Sequence, residues 1–305
     1  MKPRIPIDVV LRQASVLCGQ PLIGGREAGA GADHLIVFAT TPDGGRVVVK
    51  VGDDAHTDAY VLDLLRGRRV PVPRLLARGE VRADGRRYPA AVMTRVDGEL
   101  LAASAAPRTY LPAIVAQLRR AHLVATARGA GPLLRVARGA GAPMSWRAHL
   151  LAILHGGDPE FDWDALCARP AIDAAVLRRA ITAVGARVAA LPGPPSYRLL
   201  HGDLNPYNIL IAGGALTGII DWSYTRYGDP LFDFARLRMN LFVRQDPAAT
   251  RDYFALLDLA PDARECEQTY YLFNLLEYVN WYAQSRDDAR VRKHLALLAR
   301  QAVMS

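Results

Sequence analysis

Residues 199–222 read LLHGDLNPYNILIAGGALTGIIDW, and the fold follows from how this stretch turns back on itself. Asn208-Ile209-Leu210-Ile211 has the make-up of a strand, Ala212-Gly213-Gly214-Ala215 of a turn, and Leu216 to Ile220 of the returning strand. Glycine supplies the backbone angles that such a turn needs. With the turn centred on the glycine pair, Asn208 pairs near Ile219, and Asp221 lies two residues further on. The Asn208 amide and the Asp221 carboxylate are then within reach of one ion, with Asp203 in the loop just before the first strand. An amide oxygen and a carboxylate suit a hard cation such as Mg²⁺. A second carboxylate can accept a proton from a nucleophilic hydroxyl. Each of the three alone reads as an ordinary loop residue or strand cap; the set, at this spacing, reads as the parts of a phosphoryl-transfer centre.

HGDLNPYN resembles the catalytic loop of the aminoglycoside phosphotransferase family, a relative of the protein kinases. Asp203 and Asn208 have the separation of the kinase catalytic Asp and Asn. IIDW at 219–222 is similar to the family's replacement for the kinase DFG segment, and GDPLFDFA at 228–235 resembles the family's next helix. Asn205 replaces a second family His after the base. The resemblance implies an α+β, bilobal protein-kinase-like fold, with a small antiparallel-sheet N-lobe and a larger, mostly helical C-lobe. It also implies ATP, with GTP left open, and Mg²⁺. The Trp146 helix start, Asp58 and HGDLNPYN look closest to the hygromycin-phosphotransferase branch.

The chain has 305 residues, 51% hydrophobic and 22% charged, the make-up of a globular protein with one large domain or two modest ones. No apolar run approaches the roughly 20 residues that span a bilayer. Arg12 interrupts Val9-Val10-Leu11 too early for a signal peptide. Cys18, Cys167 and Cys266 are far apart, without metal-ligand spacing, so reduced thiols in a cytoplasmic protein are expected. The net charge of +8 raises nucleic-acid binding. The basic residues are scattered, however, and acids outnumber them in 201–305, which holds the proposed centre. No nucleic acid and no membrane is expected as a partner.

Residues 6–17 have helical apolar spacing at Val9, Val10, Val16 and Leu17. Gly24 to Gly31 reads as a glycine-rich loop, which beside strands can fold over a triphosphate, though such a turn alone is weak evidence. His34 to Ala39 and Arg46 to Val51 read as a hairpin about Pro42-Asp43-Gly44-Gly45. Only Lys2, Lys50 and Lys293 are lysines among 38 basic residues. Lys50 sits inside a β-branched strand, where a compact ammonium can touch two phosphates; by resemblance it is the ATP-orienting lysine. Asp58 to Arg66 reads as an amphipathic helix. The resemblance pairs Lys50 with a carboxylate there, and the chain offers Asp58 in place of the usual Glu; the other reading of Asp58 is a helix N-cap. Val70-Pro71-Val72-Pro73 forces an extended connection. Tyr88 to Val96 is an apolar strand, and by resemblance the nucleotide base meets the backbone around Thr94, Arg95 and Val96. The lobe boundary is expected near residue 96, with 1–96 binding nucleotide and 97–305 carrying catalysis and substrate.

From 99 to 198 the periodicity is helical. Leu111 to Arg128 is the clearest helix, with Leu111, Ile114, Val115, Leu118 and Leu123 on one face and His122 as a packed or capping residue. Ser145-Trp146 starts another helix, through Leu154. The Gly156 to Asp164 loop sets Asp158, Glu160, Asp162 and Asp164 among Phe161 and Trp163. Acids among aromatics suit a polycationic sugar; a solvated loop with N-cap aspartates is the competing reading. Asp229-Pro230 is a helix start, and Asp229 and Asp233 are read as bracing the catalytic loop. Glu277, Asn280 and Trp281 occupy neighbouring helical positions, on helices that line the antibiotic pocket in the family.

The reading is an ATP- and Mg²⁺-dependent O-phosphotransferase acting on a hydroxyl of an aminoglycoside or aminocyclitol antibiotic, hygromycin-like, and conferring resistance. Asp203 is the base, Asn208 and Asp221 hold the metal, and Lys50 positions the nucleotide. The alternative is a kinase of a macrolide, choline or homoserine. A dead binding module is disfavoured because all four polar positions hold competent side chains. A protein kinase is disfavoured because the step from IIDW to GDPLFDFA leaves no room for a long activation segment. The partners are a nucleotide and a cationic or hydroxylated small molecule, with the chain acting as a monomer or homodimer.

Overall fold

Val47, Val49 and Val51 alternate along one strand with Arg46, Val48 and Lys50, and this period of two gives the strand two different faces. The computed structural model describes residues 2–29, 34–139, 144–170, 172–241 and 247–302. Its contacts divide the chain into one unit of residues 1–121 with 206–225 and a second of residues 122–205 with 226–305. The first unit holds a five-stranded antiparallel sheet whose spatial order is Ile23–Glu27, Leu35–Thr40, Arg46–Val51, Arg86–Thr94, Leu75–Ala83. Val37, Val47, Val49, Val51, Ala90 and Val92 join a core with Val10 and Ala14 of the Ile7–Cys18 helix. On the opposite face Lys50 pairs with Ile36 and Ala91, and the Ala55–Leu65 helix packs Ala55, Ala59 and Leu62 against Ala91 and Met93.

Two expectations change here. Val16 is 79% exposed, because Val10 and Ala14 make the helix face that meets the sheet. Residues 24–27 belong to the edge strand Ile23–Glu27, while Ala30 and Gly31 lie outside the described residues. The glycine there serves packing: a Cβ on Gly25 would meet the Leu11 side chain at 2.5 Å and Ile7 at 2.7 Å, so the helix lies directly on the strand.

The hairpin of 209–219 belongs to the same unit. Ile209–Ala212 and Ala215–Ile219 pair antiparallel about Gly213 and Gly214, whose φ values of 58° and 78° are those of the two-residue turn that glycine permits. A third strand, Glu99–Leu100, pairs with Leu210 and Ile211. Gly98 makes this possible, since a Cβ there would sit 2.6 Å from the Ile211 carbonyl oxygen. Residues 97–121 and 206–225 group with the sheet, through backbone pairing between segments about a hundred residues apart.

The second unit is helical. Trp146 of the Trp146–Leu154 helix, Phe232 of Leu231–Asn240, and Tyr270 and Phe273 of Pro261–Gln284 form its aromatic centre. Trp146 meets Phe232 edge to face at 5.3 Å. Gly228 passes so close that a Cβ would lie 2.7 Å from the Trp146 ring. Ser145 accepts the Ala148 N–H at 3.1 Å, the expected cap. The helix expected to reach Arg128 ends at Ala121. The chain turns there to pair Ala125–Thr126 with Tyr197–Leu200, which leaves Leu123 68% exposed instead of on the packed face.

His149 is buried beside Trp146, and its Nε2 has no hydrogen-bond partner among the described residues. Burial pushes its pKa down to about 3, and the Arg226 and Arg135 guanidiniums add to the effect. Between that value and the ordinary 6.5 the unfolded chain binds the extra proton, so stability falls as pH drops through this window. In His149→Leu the decline of urea-unfolding free energy between pH 6 and pH 4 should be shallower by up to about 1.4 kcal/mol per pH unit. Equal slopes in the two proteins would show that His149 does not carry the effect.

Candidate active site

The strand that carries Lys50 is buried, and the side chain is 5% exposed. Its ammonium donates to an oxygen of Asp58, to Asp221 Oδ1 at 2.8 Å and to Ser223 Oγ at 2.5 Å. Burial alone would depress the lysine pKa; the Asp58 and Asp221 carboxylates outweigh it and hold the ammonium above its ordinary range. Asp58 is not an N-cap. The Ala55–Leu65 helix begins after Asp54, so Asp58 lies a turn inside it, facing the sheet at 3% exposure. Its Oδ1 accepts the Trp222 N–H at 2.7 Å, and its Oδ2 takes Lys50 and lies 3.3 Å from the Ser223 hydroxyl. The short side chain thus reaches both the lysine and the backbone beyond Asp221.

Asp221 has a φ of 61°, a left-handed conformation that costs a non-glycine residue of order 1 kcal/mol or more. Lys50 and Ser223, the latter at 2.7 Å, both hold its Oδ1. Trp222 anchors the next position, 1% exposed with its indole N–H donating to the Ile219 carbonyl at 3.1 Å. Asn208 is 7% exposed, and its carbonyl accepts the Ile220 N–H at 2.9 Å, one residue along from the expected Ile219. Among the described residues no group of three or more His, Cys, Asp or Glu could hold a metal. An amide oxygen and one carboxylate fit Mg²⁺, which takes few protein ligands and completes its shell with phosphates and water.

Thr94 ends the Arg86–Thr94 strand, and Arg95 and Val96 follow it. The N–H groups of Thr94 and Arg95 donate to the Arg74 and Arg46 carbonyls, each at 2.9 Å. The Arg95 guanidinium lies 4.3 Å from the Phe38 ring centre, and Val96 packs on Gly218, where a Cβ would meet it at 2.7 Å.

In the helical unit, Asp203 Oδ2 accepts from the Asn205 amide at 3.1 Å, and Oδ1 lies 3.4 Å from Arg236 Nη2. The loop ahead of it hangs on Asp233, which is fully buried. Asp233 accepts the His201 N–H at 2.8 Å and the Gly202 N–H at 2.9 Å, and His122 Nε2 lies 2.9 Å from it. Burial works against this carboxylate, but His122, His201 and the Gly202 N–H together keep its pKa below the ordinary range. Asp229 accepts the Leu231 N–H at 3.0 Å and the Tyr270 hydroxyl at 2.9 Å.

The residues read from sequence as substrate contacts separate. Asp158 accepts the Glu160 N–H, Asp162 caps the Trp163–Cys167 helix through the Ala165 N–H, and Asp164 pairs with Arg178. They border a cavity of about 700 Å³ with Phe161 and Trp163. Asn280 reaches this loop, donating to the Glu160 carbonyl at 2.9 Å. Trp281 is 48% exposed against Tyr282. Glu277 stands apart: it is buried, and Arg226 at 3.3 Å and Arg236 at 3.1 Å hold its two oxygens, so it is an internal counter-ion and not an open substrate carboxylate. Sequence reasoning missed Ser223 and Arg236. Ser223 follows Asp221 with no motif of its own, and Arg236 sits in a helix that also carries Asp233 and Arg238, where an arginine reads as solvated.

Residues 24–270 match the model of the phosphotransferase enzyme family, most of the chain. The chain belongs to that family. The hygromycin-B 4-O-kinase of Escherichia coli is 28% identical over 193 residues, 61% of this chain and 52% of that protein, so the chain spans about half the length of this relative. Two solved phosphotransferases share the fold. One is a thermostable mutant of aminoglycoside phosphotransferase APH(4)-Ia in ternary complex with ADP and hygromycin B, with TM-score 0.73, 20% identity and 96% and 98% of the two chains covered. The other is spectinomycin phosphotransferase APH(9)-Ia with ADP and spectinomycin, with TM-score 0.70, 11% identity and 99% and 100% covered. The fold is thus the α+β, kinase-like fold of the aminoglycoside phosphotransferases.

Removing one member of a buried ion pair strands the other. Lys50→Met should lower stability by about 3–5 kcal/mol in urea unfolding. Lys50→Met with Asp58→Asn should recover part of that loss, because Asn keeps an acceptor for the Trp222 N–H without the charge. A double variant no more stable than Lys50→Met would count against Asp58 as the stranded charge.

Proposed function

We propose that this member of the phosphotransferase family transfers the γ-phosphoryl group of ATP to a hydroxyl of an aminocyclitol antibiotic of the hygromycin type, conferring resistance. The observation that carries the reading is Lys50, the chain's single buried strand lysine among the described residues, bonded to Asp58 and Asp221 together. A structural ion pair needs one carboxylate. A lysine shared with a carboxylate that is 46% exposed is arranged to meet a ligand's phosphates.

Residue roles follow from the chemistry of each group. Lys50, held by Asp58, orients the phosphates. Asn208 and Asp221 are the residues that would hold Mg²⁺, which when bound neutralises charge on the phosphates. Thr94 and Arg95 have given their N–H groups to the sheet, so a nucleotide base would use their carbonyls or the Val96 backbone. Asp203 accepts the proton of the substrate hydroxyl, and Asn205 and Asp233 keep the loop in shape for that task. Positioning and charge neutralisation supply most of the acceleration. Asp158, Asp162, Asn280 and Trp281 are the proposed contacts of the antibiotic. The first 96 residues would serve the nucleotide and the remainder the acceptor, apart from the Asn208 and Asp221 hairpin.

The relative from Escherichia coli and the solved complex with ADP and hygromycin B support this choice of acceptor. One observation favours a second reading, a less cationic hydroxylated metabolite or macrolide: Glu277 and Asp164 are already paired with arginines, which leaves fewer acids for a polycation.

Expression in a sensitive bacterium with a panel of antibiotics tests the acceptor. Protection from hygromycin B is expected, and phosphorylation of a different compound alone, read by mass, would support the second reading. Asp203→Ala should lower turnover roughly 10²–10⁴-fold while nucleotide binding survives. Undiminished turnover in that variant would remove Asp203 from the mechanism.

A further inference from the structure

Arg236 sits on the Leu231–Asn240 helix with its side chain 7% exposed. A guanidinium this deep is stable only with anions and acceptors arranged around it. Its Nη1 donates to Asn274 Oδ1 at 3.0 Å and Glu277 Oε2 at 3.1 Å, and its Nη2 faces Asp203 Oδ1 at 3.4 Å. The Tyr278 ring lies beneath it, 4.8 Å from the guanidinium carbon. Glu277 is shared: its other oxygen takes Arg226 at 3.3 Å. Two arginines therefore lean on one glutamate, and Asp203 is the second anion that balances them.

The arrangement also fixes the aim of Asp203. The terminal torsion of an aspartate is broad, so the carboxylate does not orient itself. Here its two oxygens are held by different elements, Oδ2 by Asn205 of the loop and Oδ1 by Arg236 of the helix. We infer that Arg236 is a positioning residue, which clamps Asp203 in one orientation and ties that orientation to the Pro261–Gln284 helix through Asn274 and Glu277. This rests on the reading of Asp203 as the proton acceptor.

Arginine suits the task because its planar fork can serve Glu277 and Asp203 at once. A lysine keeps a buried cation for Glu277 but cannot span both. A purely structural arginine would change melting temperature and leave turnover per folded molecule alone. A positioning residue separates kcat from KM, and its effect vanishes once the group it positions is gone.

The test uses the full chain with MgATP and hygromycin B, or MgATP hydrolysis by water where hygromycin B is no acceptor. Arg236→Lys should lower kcat on the order of 10- to 100-fold, the cost of a misplaced reacting group. KM for ATP should stay within about twofold, as expected for an interaction outside nucleotide binding. In an Asp203→Asn background the same substitution should cause no further loss. Should Arg236→Lys fail to fold, R236Q with E277Q removes one cation and one anion together and carries the same test. Unchanged kcat in a folded Arg236 variant, or an additive loss beside Asp203→Asn, would overturn the inference while Asp203 remained essential. Full turnover by Asp203→Asn alone would instead overturn the function on which it rests.

Discussion

A charged amine inside a protein must be answered by opposite charge at hydrogen-bond distance, and in this chain the Lys50 ammonium sets that requirement. Asp58 answers it from the helix that covers the sheet, and Asp221 answers it from the end of the 209–219 hairpin. Because Asp58 also takes the Trp222 N–H, the helix, the sheet and the hairpin are tied at one point. The left-handed backbone at Asp221 is sustained there: Trp222 is anchored on one side, and Ser223 turns back onto the carboxylate on the other. A conformation disfavoured locally persists because its neighbours over-determine it.

The helical unit solves a similar problem with the roles exchanged. Here a fully buried ion is a carboxylate, Asp233, and the groups that satisfy it are His122 and the backbone N–H groups of the loop that carries Asp203. The loop shape is therefore set by a buried anion and not by turn propensity alone. The same helix presents Arg236 one turn later, so one short element both shapes the loop and places a cation beside Asp203. Arg238 of that helix is paired bidentately with Glu267, a further buried ion pair against the long helix. Asp233, Arg236 and Arg238 each have buried partners, so this helix is nearly all buried although it is rich in charge.

Much of this was legible in the sequence. The hairpin about Gly213-Gly214, the strands at 35–40 and 46–51, and the helix starts at Ser145 and Asp229-Pro230 follow from local rules of turn and cap chemistry. As candidates for the site, Lys50 stands out by rarity, and Asp203, Asn208 and Asp221 by spacing. Other features were not legible. The glycine-rich segment reads about equally as an ordinary surface loop, and the close approach of Gly25 to Leu11 and Ile7 is something no local pattern reveals. The helix after Leu111 has the apolar period to continue, and it ends because Ala125 and Thr126 are drawn into pairing with Tyr197 and Arg198.

By itself, then, the amino-acid sequence determined the elements whose signals are short-range: strands by alternation, turns by glycine, caps by aspartate and serine, and the family by three short motifs between residues 201 and 235. Only the tertiary structure decided which charges meet. Glu277 and Asp158 look alike as acids in a chain, yet one is a buried counter-ion to two arginines and the other closes a surface loop. The physical reason is that electrostatic partnership depends on distance in space and on burial, and neither is carried by the order of residues until the chain has folded.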